Sequence, residues 1–193
     1  MAICHEQTGR SSTSCWNKAL FECDTTRMKP LIFEVSPVGA GTLCIMPKPD
    51  GNYLPEAVAF FQQLGINRVV CLLEDSEMQQ FGLEQEDELC QAAALDFTHF
   101  PIADSQNPTD EPAFRQLVAE LHTELLAGAN ITIHCRAGIG RTGVLAGCIL
   151  KRDGYDMETA IQMVSDARGF PIPETQEQYD FIADFVENCQ NES

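Results

Sequence analysis

His134-Cys135-Arg136-Ala137-Gly138-Ile139-Gly140-Arg141-Thr142-Gly143 constrains the fold of this chain more than any other segment. A short β-rich run, Asn130-Ile131-Thr132-Ile133, precedes it, and an apolar run, Val144-Leu145-Ala146-Gly147-Cys148-Ile149-Leu150, follows it. The segment therefore joins the end of a strand to the start of a helix, the junction at which α/β sheets hold their ligands. An anion bound there meets the positive pole of the helix and a set of free backbone N–H groups. Gly138, Gly140 and Gly143 are expected to let the backbone curl so that those N–H groups face inward.

Cys135 lies at the floor of this nest. Inward amides, the helix pole and Arg141 all favour its thiolate, which is the nucleophilic form. Arg141 stands six residues after Cys135 and can wrap back to offer two parallel N–H donors to two phosphate oxygens. The backbone of Arg136, Ala137, Gly138, Ile139 and Gly140 supplies the rest of the substrate cradle. Thr142 can donate its hydroxyl to the sulfur, easing departure of the thiolate from a cysteinyl-phosphate. His134 is expected to orient the loop rather than act as a base. A lone buried cysteine is usually structural. The histidine before it, the arginine at the sixth position and the threonine next to that favour catalysis instead.

This segment resembles the His-Cys-x5-Arg-Ser/Thr signature of the protein-tyrosine and dual-specificity phosphatases. The resemblance implies that Cys135 attacks phosphorus, that Arg141 binds the phosphoryl group, and that an aspartate on an upstream loop protonates the leaving oxygen. Phe97 to Asp104 reads as a strand running into a loop, followed by the turn formers Ser105, Gln106, Asn107 and Pro108. Its Pro101-Ile102-Ala103-Asp104 resembles the acid loop of the cyclin-dependent-kinase-associated phosphatases, a small branch of the dual-specificity group. Asp104 is thus the expected general acid. Asp110 is the rival, although a helix-capping role beside Pro112 accounts for it. His99 and His122 read as strand and helix residues. Pro173 to Tyr179 resembles the family's water-positioning segment, with Gln178 as a supporting residue and Glu174 at the site of a glutamine in many relatives. The structural alternative is a helix start capped by Thr175 with Gln178 in solvent.

With 193 residues the chain is expected to hold one catalytic domain, 30–193, preceded by a weakly ordered arm, 1–29. The α/β alternation predicts strands at 42–46, 68–73 and 96–100. It predicts helices at 54–64, 83–94, 112–126, 142–152, 157–168 and 175–189. The family resemblance implies a central, largely parallel twisted sheet flanked by helices, in the compact dual-specificity phosphatase arrangement. A site shallower than that of the larger tyrosine-specific domains would accept phosphoserine and phosphothreonine besides phosphotyrosine.

A net charge of −17 argues against binding to nucleic acid or anionic membranes. Much of the acidic excess lies between Glu74 and Glu88 and reads as a solvated helical face. Arg136, Arg141, Lys151, Arg152 and Arg168 are expected to make the field near the turn locally positive. Nine cysteines without a secretory segment suggest a reducing, cytoplasmic location. Cys71 or Cys44 is a candidate disulfide partner for oxidised Cys135. No metal or other cofactor is expected, and the expected partner is a phosphorylated protein substrate. Two other readings stay open: a phosphoprotein-binding module with little turnover, and a phosphatase for an inositol lipid. The second is disfavoured by Ala137 and Ile139, where lipid phosphatases tend to carry lysines.

Overall fold

Five strands and seven α-helices alternate along residues 29–185, the part of the chain described by the computed structural model. The strands are β1 (Phe33–Val38), β2 (Gly41–Pro47), β3 (Arg68–Cys71), β4 (Asp96–His99) and β5 (Asn130–Cys135). The helices are α1 (Leu54–Gln63), α2 (Asp75–Phe81), α3 (Glu86–Ala92), α4 (Glu111–Leu126), α5 (Gly140–Arg152), α6 (Met157–Arg168) and α7 (Gln176–Asp184).

The sheet has the order β1-β2-β5-β3-β4. β5 is central because it is buried on both faces, as the near-continuous apolar run Ile131-Thr132-Ile133 requires. Ile133 sits opposite Ile45 of β2 on one side and Val70 of β3 on the other, and both pairings are parallel. β4 adds to β3 in parallel, and β1 folds back on β2 as the antiparallel edge. The expected helix-flanked, largely parallel sheet is therefore the observed one. β1 is an addition: Phe33–Val38 holds a proline and a glutamate and lacks a clean alternation, as an edge strand tolerates.

Side chains alternate across each strand, so the sheet separates two cores. On one face Ile131, Ile133 and Cys135 pack with α4, α5, α6 and α7. On the other Val69, Cys71 and Met46 pack with α1, α2 and α3. α5 is the pivot of the first core, since every residue from Gly140 to Leu150 is buried. A helix apolar on all sides belongs inside a domain. Gly143 lets it approach its neighbour closely, because a Cβ there would lie 2.2 Å from Ile172 Cγ2. Phe114 of α4 anchors an aromatic cluster with Phe100, Phe181 and Phe185, at ring-centroid separations of 5.9, 5.6 and 6.2 Å.

Several boundaries depart from the sequence reading: β3 stops at Cys71 rather than residue 73, and α7 ends at Asp184 rather than residue 189. The single helix expected at 83–94 is α3 alone, and α2 forms before it. Gly82 separates them in the left-handed conformation, with φ at 69°. The helix after the nucleophilic turn begins at Gly140 rather than Thr142. The arm expected at 1–29 lies outside the described residues except for Lys29, whose Nζ sits 5.2 Å from the Phe60 ring centre. Among the described residues no helix is long and apolar enough to cross a membrane.

Phe114 is fully buried at the meeting point of the four rings. Phe114→Ala is expected to destabilise the domain by about 3–5 kcal/mol, read as a lower urea midpoint with an unchanged slope.

Candidate active site

Parallel strands end on the same edge of a sheet, so the loops after β3, β4 and β5 converge there. Arg141, in the first turn of α5, ties all three together. Its side chain is 1% exposed. Nη1 donates to the carbonyls of Leu72 (3.4 Å) and Ile102 (2.9 Å) and to Glu77 Oε2 (2.5 Å). Nη2 donates to Glu77 Oε1 (3.0 Å) and to Asp104 Oδ1 (2.9 Å). A guanidinium removed from water needs this density of acceptors and counter-charge.

Glu77 supplies the bidentate partner. It is fixed by the helix it belongs to, because its Oε2 also accepts from the Glu74 amide at 3.0 Å in a capping box. Burial favours the neutral carboxyl, but the Arg141 guanidinium and the Glu74 backbone outweigh it and hold the Glu77 pKa below the usual glutamate range. Reciprocally, burial disfavours the Arg141 cation, and Glu77, Cys135 and Asp104 more than restore it. Sequence reasoning missed Glu77 and placed it on a solvated face. The signal was present as Glu74-x-x-Glu77, an acidic capping pattern immediately after a strand.

Asp104, Cys135, Arg136, Ala137, Gly140, Arg141 and Glu174 line a cavity of about 170 Å³ at this edge. That is below the ~300–1,000 Å³ of pockets for drug-sized ligands, and it suits a phosphoryl group with the first atoms of its ester. Cys135 is 3% exposed. Gly138 makes the turn around it with φ at 66°, and a Cβ there would meet the Met46 carbonyl oxygen at 2.5 Å. The three glycines thus serve different needs: Gly138 a left-handed turn, Gly140 clearance from Glu174 and Gln178, and Gly143 helix packing.

Asp104 is half exposed, and its Oδ2 lies 3.9 Å from Arg136 Nη1. Ser105, next in the chain, takes a positive φ of 58° and turns the backbone sharply there. The loop is held from the α7 side. Gln178 is buried, its Nε2 donating to the Gln106 carbonyl (3.3 Å) and its Oε1 accepting from the Glu174 amide (3.2 Å). Asn107 Nδ2 donates to the Glu177 carbonyl at 3.0 Å. Gln178 is therefore not the solvent-facing residue of the structural alternative, although Thr175 does cap α7 by accepting from the Gln178 amide. Asp110 caps α4 by accepting from the Ala113 amide.

Other residues fall elsewhere. The Thr142 hydroxyl is buried without a hydrogen-bond partner among the described residues. His134 points into the core on the opposite face of the sheet from Cys135, beside Glu86 and Cys71. Cys71 shares that face, so it and Cys135 belong to different cores, and Cys44, the other candidate partner, stands in register with Thr132 rather than with Cys135. His99 meets the Leu73 carbonyl and His122 meets Asp153. Of the expected cations, Arg136 and Arg168 stand by the turn, Arg168 Nη2 donating to the Ala137 carbonyl at 3.0 Å. Lys151 and Arg152 are at the other end of α5 and do not contribute. Lys48 stands in their place: its backbone amide donates to the Arg136 carbonyl, and its Nζ lies 4.3 Å from the Phe81 ring centre.

Residues 38–178 match the family described as PTP-SAK, a Swiss Army Knife protein, DSP-PTPase phosphatase domain. The chain belongs to this family. Human cyclin-dependent kinase inhibitor 3 is 29% identical over 123 residues, covering 63% of this chain and 58% of the human protein. The rat protein of that name is 28% identical over the same length. The match thus spans less than three fifths of these curated relatives. The crystal structure of kinase-associated phosphatase with its catalytic-site cysteine replaced by serine is similar, with a TM-score of 0.74 at 24% identity over 81% of this chain and 94% of that one. PTPMT1 in complex with PI(5)P gives a TM-score of 0.65 at 15% identity over 80% and 93%. These likenesses show a shared fold, and the matching family is of the dual-specificity phosphatase kind that the turn at 134–143 resembles.

Glu77→Ala is expected to cost about 3 kcal/mol at neutral pH, since it strips a buried cation of its principal partner. A carboxylate whose folded pKa is depressed stabilises above its unfolded value and loses that contribution as pH falls through the folded one. The gap between wild type and variant should accordingly be full above pH 4.5 and shrink below it, as measured by urea unfolding across pH.

Proposed function

We propose that residues 30–193 form a catalytic domain that hydrolyses phosphate monoesters on protein side chains, phosphotyrosine foremost, through a cysteinyl-phosphate intermediate. The convergence of Cys135, Arg141 and Asp104 on one small cavity carries this reading. Membership of a phosphatase family supports it.

The Cys135 thiolate attacks phosphorus, the S–P bond forming as the ester P–O bond breaks. Asp104 gives its proton to the leaving oxygen. A water molecule then attacks the cysteinyl-phosphate, Asp104 takes its proton, and the sulfur departs as thiolate while inorganic phosphate is released. Arg141 and the inward amides from Arg136 to Gly140 stabilise charge on the equatorial oxygens, where it is greatest in the transition state. The unpaired Thr142 hydroxyl is available to the departing sulfur.

In the resting site Asp104 is bonded to Arg141 at 2.9 Å. An arriving phosphate dianion competes for that guanidinium and reverses the local field, which releases the Asp104 carboxyl and favours its protonated form. Glu174 lines the cavity where the hydrolytic water would enter, and Gln178 supports it from behind by accepting from the Glu174 amide. Lys48, Arg136 and Arg168 surround the turn on a chain of net charge −17, so the mouth attracts anions that the rest of the surface repels. Five unpaired cysteines among the described residues suit a reducing compartment such as the cytoplasm.

Cys135→Ser is expected to abolish turnover of para-nitrophenyl phosphate and phosphopeptides while vanadate binding persists. Asp104→Ala should slow esters with poor leaving groups by about 10²- to 10⁴-fold and leave good leaving groups far less affected. Equal slowing across a leaving-group series would remove Asp104 from the acid role, and turnover retained by Cys135→Ser would remove the thiolate mechanism.

A further inference from the structure

Glu86 and His134 form a buried carboxyl–imidazole pair that the reaction above does not use. Both side chains are 0% exposed, with Glu86 Oε1 3.2 Å from His134 Nε2. Cys71, in register with His134 on the neighbouring strand, completes the group, and the three donor atoms lie within 4.8 Å of one another. Neither carboxylate oxygen and neither ring nitrogen makes a hydrogen bond among the described residues, so the two side chains meet by proximity alone. Burying a carboxylate and an imidazole together is costly, and an apolar pair of similar volume would fill the space at less cost. The next residue in the chain is Cys135.

We propose that Glu86 is a positioning residue for the nucleophile, acting through His134. The carboxylate fixes His134, the last residue of β5 before the strand ends at Cys135 and the anion-binding turn begins. It also keeps a positive charge on that histidine, and at low local dielectric a cation beside Cys135 favours its thiolate. Burial opposes the imidazolium, yet Glu86 and Cys71 outweigh it and hold the His134 pKa well above the usual histidine range. The titratable groups that act on His134 are Glu86 from α3 and Cys71 from β3, while β2 presents the uncharged Met46 and Cys135, next in the chain, projects to the other face. Cys90, on the same helix as Glu86, lies close enough to feel its charge. A closed zinc site takes four protein ligands. This group offers three, and the Glu86–His134 pair is already balanced in charge.

The inference rests on the phosphatase reading, and its test separates the two. The pH dependence of kcat/KM for para-nitrophenyl phosphate is measured for wild type, Glu86→Gln and Glu86→Asp. In Glu86→Gln the acid limb should move to higher pH by about one unit, a roughly tenfold loss on that side, with the high-pH plateau kept within about threefold. Glu86→Asp should recover part of the shift. A purely structural role would lower melting temperature and active fraction at every pH alike, leaving the limb in place, and that result overturns the proposal. Nitrogen-15 NMR of histidine-labelled wild type needs no variant. An imidazolium at residue 134 near pH 7.5 supports the proposal, and a neutral ring overturns it. One equivalent of tightly held zinc in the wild type that disappears in Glu86→Gln also overturns it, because the group is then a metal site. Absence of turnover in the wild type would count against the phosphatase reading alone, with the ring's charge state still deciding the pairing.

Discussion

One buried guanidinium organises this molecule. Arg141 reaches from α5 to the end of β3, to the first turn of α2 and to the loop after β4, and each contact is a charge-assisted or carbonyl hydrogen bond out of water. Removing such a charge from solvent is tolerable only if its acceptors are already in place. The loops at this sheet edge therefore have little freedom to settle independently. The same bonds that stabilise the fold hold the cationic group over Cys135. Phosphate binding, on this view, exchanges one acceptor of Arg141 for another.

The two-residue period of a strand has a second consequence. Cys135 and His134 are neighbours in the chain but project to opposite faces of the sheet, one into the cavity and the other into the core beneath α3. Cys135 thus adjoins in sequence a buried pair that lies outside the cavity.

Local patterns were the legible part of the sequence. The strand-turn-helix around Cys135, the strand running into the loop at Asp104, and α6, whose observed bounds Met157–Arg168 match the expected ones, were all readable from period, turn residues and caps. What escaped depended on distant partners. Glu77 and Glu86 lie in an acidic run whose composition signals solvent, and only the positions of Arg141 and His134 turn them inward. Lys48 gave no local sign, because its place beside Arg136 comes from β2 and β5 pairing in parallel. The two-helix break at Gly82 was hidden by helix-favouring residues on both sides.

Lys151 closes the far end of α5 by donating to the Ile182 and Ala183 carbonyls of α7, at 2.7 and 2.8 Å. Gln178, at the other end of α7, packs against Gly140 and holds the acid loop. The two helices are splinted at both ends, like the sides of a ladder. Sliding α7 by a single residue, about 1.5 Å, would break the lysine clamp and drag the glutamine rung with it. The position of the loop at Gln106 is thereby tied to a contact at the far end of α5.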